Sequence, residues 1–366
     1  MVSLKIEVEK YLKLASKDNL FTGSAVGWSQ LANNGKSSKF FAYEGYSDNS
    51  EFKTDVTKDI LFDLASLTKP LVTVLCILTL INDGLIDWLD DLSSLLSVGV
   101  DKDKEKISII NLLGHSSGLP AHIAFYNTIK NKDYYLVRKE IIKRILAIGL
   151  EYNPGSKTIY SDLGYMLLGH IIEEKSGETL DEFWQRRIAD KLGLASKLQF
   201  LKNGTIGPLA CVATSLDSFS KKPVAGIVND DNCRIMGGIS GHAGLFGTLE
   251  GVLSICESIL KHYKEMEIFP AYHNSLLKKA ITTRGNSTWV CGFDTPSVNN
   301  SVAGQYVSPK SFGHLGYTGT SFWIDIEKSV VIVILTNRTY TNTPKEKINL
   351  LRTDIHNLIM RNICYC

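Results

Sequence analysis

Strand-like segments stand near both ends of this chain and helix-like segments fill the space between them. That order limits the folds open to it more than any other feature. GSAVGWSQ (23–30) and KFFAYEGYS (39–47) flank the turn-rich LANNGKSS and read as a hairpin. Far along the chain, TSFWIDI (320–326) and SVVIVILTN (329–337) are two more strand candidates, the second an almost unbroken β-branched run. A lone two-stranded hairpin is marginal in water, so the distant pairs are expected to join one antiparallel sheet. Helical periodicity at 2–15 (Leu4, Val8, Tyr11, Leu12, Ala15) and at 345–362 supplies a terminal helix at each end to cover it, and a further helix is expected near 249–264. Between the strands, 107–115, 134–149, 162–177 and 179–193 have helical period. Gly118-Leu119-Pro120, Asn153-Pro154-Gly155 and Gly177 mark their ends. The expected fold is α+β. Residues 1–62 and 235–366 form an antiparallel sheet flanked by terminal helices, residues 63–234 form a mainly helical lobe, and the site lies in the crevice between them.

A length of 366 residues allows one or two domains, and 44% apolar with 21% charged residues is ordinary globular composition. A formal charge of +2, with no basic block interleaved with aromatics, argues against a nucleic-acid partner. The longest apolar run, LVTVLCILTLI (71–81), is shorter than the roughly 20 residues of a membrane-crossing helix and is expected as a buried core helix. The first residues carry Glu7 and Glu9 and no unbroken apolar core, so they do not read as a signal peptide. Seven cysteines, an odd number without any Cys-x-x-Cys pair, suggest a reduced, cytoplasmic chain, or an extracytoplasmic one if a leader has been removed.

In DLASLTKPLV (63–72), Ser66 and Lys69 are three apart and share a helix face, with Pro70 in the first turn where a missing N–H costs nothing. A helix start favours negative charge, and an amine one turn away can take a serine proton if burial lowers its pKa. The same residues suit a plain helix cap. Ser-x-x-Lys recurs at Ser50/Lys53, Ser218/Lys221, Ser258/Lys261 and Ser275/Lys278, so spacing alone does not choose. Tyr160, just before a helix, either packs or relays protons. His314 and Gly316, in FGHLGYTGTSFWIDI, sit either in a simple turn or beside a backbone N–H, that of Tyr317, able to hold an oxyanion.

In order, Ser66-Leu-Thr-Lys69, Tyr160-Ser-Asp162 and His314-Leu-Gly316 resemble the three motifs of the penicillin-recognising serine hydrolases: Ser-x-x-Lys, Tyr-x-Asn and Lys/His-x-Gly. The branch most resembled holds class C β-lactamases, D-alanyl-D-alanine carboxypeptidases, D-aminopeptidases and esterases. Flanks such as NLLGHSSGLP (111–120), MGGISGHAGLFGT (236–248) and GTSFWIDIEKSVVIVILTNR (319–338) extend the likeness over about residues 20–360. The resemblance implies a β-lactamase/transpeptidase-like fold and an acyl-enzyme on Ser66. It implies Lys69 and Tyr160 as general bases, an oxyanion site from the N–H groups of Ser66 and Tyr317, a small-molecule or peptide-like substrate, and no metal or organic cofactor.

Asp162 stands where many members of that family have asparagine, and a carboxylate can accept but not donate. Near Lys69 it would raise the lysine pKa, and the retained charge would lower that of Tyr160, moving the base role to the tyrosine. Asp162 and a neutral His314 both disfavour an anionic substrate and favour a neutral ester, an amide or an amine-bearing peptide, unless an arginine such as Arg234, Arg284 or Arg338 binds a carboxylate. His115 and His122 are poorly spaced for a metal. His242 reads as a packing residue, Asp230 and Asp231 as possible crevice residues, and Tyr126, Tyr134 and Trp289 as wall or core. The rival from another class is a non-catalytic module that binds a cell-wall fragment or a protein.

Overall fold

The computed structural model describes residues 2–202, 210–282 and 287–364. Its main sheet has five antiparallel strands in the order Ser37–Gly45, Gly23–Leu31, Val330–Thr336, Ser321–Asp325, Phe312–Leu315. The run VVIVILT is the middle strand. It pairs with the first hairpin on one side, Ser24 opposite Thr336 and Gln30 opposite Val330, and with Ser321–Asp325 on the other. Every residue of it is buried because both faces are covered.

Alternation assigns the faces. Val330, Ile332 and Ile334 point with Val26 and Trp28 toward the terminal helices Val2–Lys17 and Lys345–Cys364, meeting Val8, Leu12, Ile355 and Ile359. Val331, Val333 and Leu335 point the other way, toward Val252, Ile255 and Ile259 of helix Leu249–Tyr263. This second core continues without a break into the helical region, through Leu163, Leu167 and Ile171 of helix Asp162–Ser176. The two parts are thus cemented by shared apolar packing. The α+β architecture, with its antiparallel sheet and terminal helices, is as the sequence pattern implied.

The segment after Asp63 forms a tight 3₁₀ turn at Ala65–Leu67, then a wide turn at Lys69–Val74, then the α-helix Leu75–Asn82. The stretch 65–82 is apolar enough for a membrane by composition, yet 83% of it is buried inside the protein. It is a core helix, and Trp184 pins it by donating to the Leu71 carbonyl at 2.9 Å. The glycine-rich stretch runs across helix Asp162–Ser176. A Cβ on Gly241 would lie 2.1 Å from the Tyr165 carbonyl oxygen, so only glycine permits the backbone to come so close. A small sheet of Phe62–Asp63, Leu245–Gly247 and Leu198–Phe200 sets the level of the helix start. Strands of two or three residues have no readable periodicity, so sequence patterning missed them.

Candidate active site

A crevice of about 660 Å³ is lined by Ser66, Tyr160, Asp162, His314, Gly316 and Tyr317, with Lys69 buried beneath. The structure therefore brings all seven sequence-derived residues together. Ser66 does not cap the helix with its side chain, as cap chemistry had suggested. Asp63 holds the turn instead, its Oδ1 accepting the Ala65 N–H at 2.9 Å and its Oδ2 the Asn229 N–H at 2.7 Å. Ala65 is left-handed at φ +48°, a costly conformation for a residue with a side chain, and the turn it makes leaves Ser66 half-buried at the crevice floor. Burial pushes the Asp63 carboxyl up to about 6 even though both N–H bonds favour the anion.

The Lys69 ammonium uses all three of its donors: Asp162 Oδ1 at 2.7 Å, Ser66 Oγ at 3.1 Å and the His242 carbonyl at 3.2 Å. Burial alone would lower its pKa, but Asp162 and then Tyr160 outweigh burial and the net shift is upward. Burial opposes ionisation of Asp162, yet Lys69, His122 and His242 hold its carboxyl well below the usual range. Its second oxygen lies 3.5 Å from His122 Nδ1, and that contact raises the His122 pKa despite partial burial. Asp162 opens its helix, where the dipole also favours an anion, and Ser161 caps it by accepting from Gly164.

Tyr160 faces both Lys69 and Ser66, with the Lys69 Nζ 4.7 Å from its ring centre. Its pKa is raised, not lowered as expected. Burial outweighs the pull of Lys69, and Asp162 adds to the rise. His115 packs against the ring at 4.4 Å, and its Nδ1 accepts the Ser161 N–H at 3.1 Å. Trp289 closes the other side at 5.0 Å. His314 lies on the strand Phe312–Leu315 itself, not in a loop leading to it. Burial and then Lys69 push it down to about 3, so it is neutral, and its Nδ1–H bonds the Leu315 carbonyl at 2.9 Å.

The turn after Gly316 is stitched to the residues before Ser66. Thr318 Oγ1 donates to the Asp63 carbonyl at 2.7 Å and Thr320 Oγ1 to the Leu64 carbonyl at 3.1 Å. Arg352, buried in the last helix, donates to the carbonyls of Gly316 and Thr320. Among the described residues the N–H groups of Ser66 and Tyr317 have no acceptor, which leaves two donors for a developing oxyanion.

On the opposite wall Asp230 Oδ1 meets His242 Nε2 at 2.9 Å, and His242 Nδ1 meets Ser240 Oγ at 2.8 Å. His242 thus packs and also presents its carbonyl to Lys69. Asp230, Asp231, Tyr126 and Trp289 line the crevice, while Tyr134 lies outside its lining. Arg234 is tied to Asp231 and to the Val228 and Asn229 carbonyls. Arg284 falls outside the described residues. His115, His242 and Arg352 carried no motif of their own, and only three-dimensional proximity reveals what they do.

The sequence profile of the Beta-lactamase family matches residues 22–357. This chain belongs to that family. It is 30% identical over 319 residues to the N-acetylmuramyl-L-alanine amidase of Bacillus subtilis (strain 168), covering 80% of this chain and 72% of the relative. It is also 30% identical over 312 residues to the putative D-alanyl-D-alanine carboxypeptidase of Escherichia coli (strain K12), covering 78% and 70%. Among solved structures, EstCE1, a hydrolase with promiscuous acyltransferase activity, superposes with a TM-score of 0.76 at 19% identity over 98% of each chain. The chain is accordingly a hydrolase of the β-lactamase-related serine type, with the fold of that family.

Proposed function

We propose that the protein cleaves an amide or ester bond through an acyl-enzyme on Ser66. The observation that carries this is the Lys69 Nζ, 3.1 Å from Ser66 Oγ and 2.7 Å from Asp162. Because the ammonium donates all three protons, it polarises the serine but has no lone pair to offer. The acceptor of the Ser66 proton is then the Tyr160 phenolate, the ionised form that Lys69 stabilises and that burial makes the minor one; as the serine oxygen attacks, it takes the proton and becomes the neutral phenol. Since the two groups are coupled, they titrate as a pair. The N–H groups of Ser66 and Tyr317 hold the tetrahedral oxyanion. The proton on Tyr160 passes to the leaving group, and water activated by the same pair releases the acyl group.

Around Ser66 the carboxylates of Asp162 and Asp230 and the neutral His314 favour neutral or amine-bearing acyl groups over an anionic β-lactam, while Arg338, Lys345 and Arg352 also line the crevice. Esterase or D-amino-acid peptidase chemistry is therefore favoured over efficient β-lactam hydrolysis, in keeping with relatives described as an amidase and a carboxypeptidase. Free thiols at Cys76, Cys211, Cys233, Cys256 and Cys291 support a reducing, cytoplasmic setting.

The test is incubation with a fluorophosphonate, a p-nitrophenyl ester and a fluorescent penicillin, followed by peptide mass analysis. Ester turnover with label on Ser66 is expected, and Tyr160→Phe should slow acylation by about 10²- to 10⁴-fold. A folded protein with no adduct and no turnover overturns the reading. Near-normal acylation by Tyr160→Phe removes the base role from the tyrosine.

A further inference from the structure

Beside the crevice lies a second cavity, of about 730 Å³, which shares Asn229, Asp231, Tyr317 and Arg338 with it. Its other lining is rich in hydroxyl and amide groups, among them Thr214, Thr339 and Asn342. Two of these hydroxyls, Thr214 Oγ1 and Thr339 Oγ1, are buried with no hydrogen-bond partner among the described residues. Buried polar atoms in native proteins nearly always have a partner, so such a pair marks a place where a ligand or water completes the structure.

Arg338 is the other unusual group. It is only 7% exposed, its guanidinium stacks on the Tyr317 ring at 4.4 Å, and Nη1 donates to the Thr343 carbonyl at 2.8 Å. Among the described residues no carboxylate lies within ion-pairing distance of it, and its Nε and Nη2 have no acceptor. The acids of the cavity are already engaged. Asp231 holds Arg234, and Asp217 accepts from Ser220 and Phe219. A buried, planar, unpaired cation beside hydroxyl donors is the chemistry that recognises a carboxylate on a polyhydroxylated scaffold.

We propose that this side cavity is a binding subsite for a carboxylate-bearing, hydroxyl-rich portion of the substrate, remote from the bond cleaved at Ser66, with Arg338 as its specificity-determining residue. The inference rests on the acyl-enzyme reading and deepens it. The crevice floor stays hostile to an anion at the Asp162 side, while the neighbouring cavity accepts one.

The test compares matched p-nitrophenyl esters that end in a free carboxylate or in its methyl ester, over a series of acyl lengths. It adds phenyl acetates bearing either end on the leaving group. In one of the two series the wild-type protein should prefer the carboxylate at least tenfold in kcat/KM, through KM. Arg338→Met should lower kcat/KM for that carboxylate far more than for its methyl ester, and Arg338→Lys should restore part of the difference. A wild-type protein without the preference in either series overturns the proposal. So does an equal loss on both ends in Arg338→Met, because that result means the arginine acts only by propping up Tyr317. If neither ester is turned over, the acyl-enzyme reading has failed, and calorimetry on Ser66→Ala decides the subsite separately. Glucuronate should bind at least fivefold more tightly than glucose, and the difference should vanish when Arg338→Met is added. Equal binding of the two sugars overturns the subsite.

Discussion

Replacing Asp162 by asparagine keeps the shape of the side chain and removes the charge that faces Lys69 at 2.7 Å. The lysine is fully buried and the Asp162 side chain is 19% exposed, so the variant leaves a buried ammonium without its counter-ion. Breaking such a pair costs about 3 kcal/mol, the low end of the usual range, because the crevice is wet on the Asp162 side and because Lys69 can shed its proton. At roughly 2 °C per kcal/mol in a chain of this length, the expected fall in Tm is about 6 °C.

Both members of the pair set its pH window. The carboxyl of Asp162 is held below its ordinary value, so its contribution is present above about pH 4 and is lost as pH falls through the depressed folded value. The ammonium of Lys69 is shifted upward, so its contribution is present below about pH 10 and is lost as pH rises through the folded value. The Tm gap between wild type and Asp162→Asn should therefore be widest from about pH 5 up to the pH at which the variant's lysine, its pKa lowered by burial once Asp162 is gone, sheds its proton, and narrow on either side. Activity should move in the opposite sense. With the carboxylate gone, Lys69 releases its proton more readily, and the acid limb of kcat/KM for a p-nitrophenyl ester shifts to lower pH. Thermal unfolding across pH and a pH–rate profile test the two statements together. An unchanged profile with no pH dependence in the Tm gap would refute the coupling of Asp162 to Lys69.

Gly316→Ala puts a Cβ 2.0 Å from Thr320 Oγ1 and 2.8 Å from the Leu64 carbonyl, displacing the turn that carries the Tyr317 N–H. Loss of about 10²- to 10³-fold in kcat is expected from steady-state kinetics, and wild-type activity would remove that N–H from the oxyanion site. Asp63, buried and raised to about 6, binds its proton more tightly in the folded than in the unfolded chain. Its contribution to stability is full below about pH 4 and declines by about 3 kcal/mol as pH rises through 6. Urea unfolding should show this slope in wild type and its loss in Asp63→Asn, and parallel curves for the two proteins between pH 4 and pH 7 would contradict it.

What the sequence made legible is whatever has a local period or an ordered motif. The strand Val330–Thr336 is recognisable because both its faces are buried and its residues are correspondingly apolar. Ser66, Lys69, Tyr160 and His314 are recognisable because their order and spacing repeat a known pattern. The bonds that set their chemistry are not local. Lys69 meets Asp162 across 93 residues, and Thr318 reaches the Asp63 carbonyl across 255. The direction of the Tyr160 shift is hidden from the sequence for the same reason. Burial is a property of the packed molecule, and here it exceeds the effect of the neighbouring cation. The left-handed Ala65 and the open guanidinium of Arg338 likewise leave no signature in an alanine or an arginine read along the chain.

The position of Val330–Thr336 at the middle of the sheet also governs the order in which the molecule can be made. The residues of Gly23–Leu31 and Ser37–Gly45 are made early in synthesis, but one edge of Gly23–Leu31 has no partner until residue 336 has been added. Meanwhile the helical segments between have their neighbours close in sequence and can consolidate first. The nascent protein therefore carries an apolar, unpaired strand for most of its translation, the state most exposed to wrong pairing and aggregation. Closure of the sheet is a late and long-range event. It also brings the strand Phe312–Leu315 up to the residues before Ser66, so the crevice acquires its second wall in the same step that completes the core.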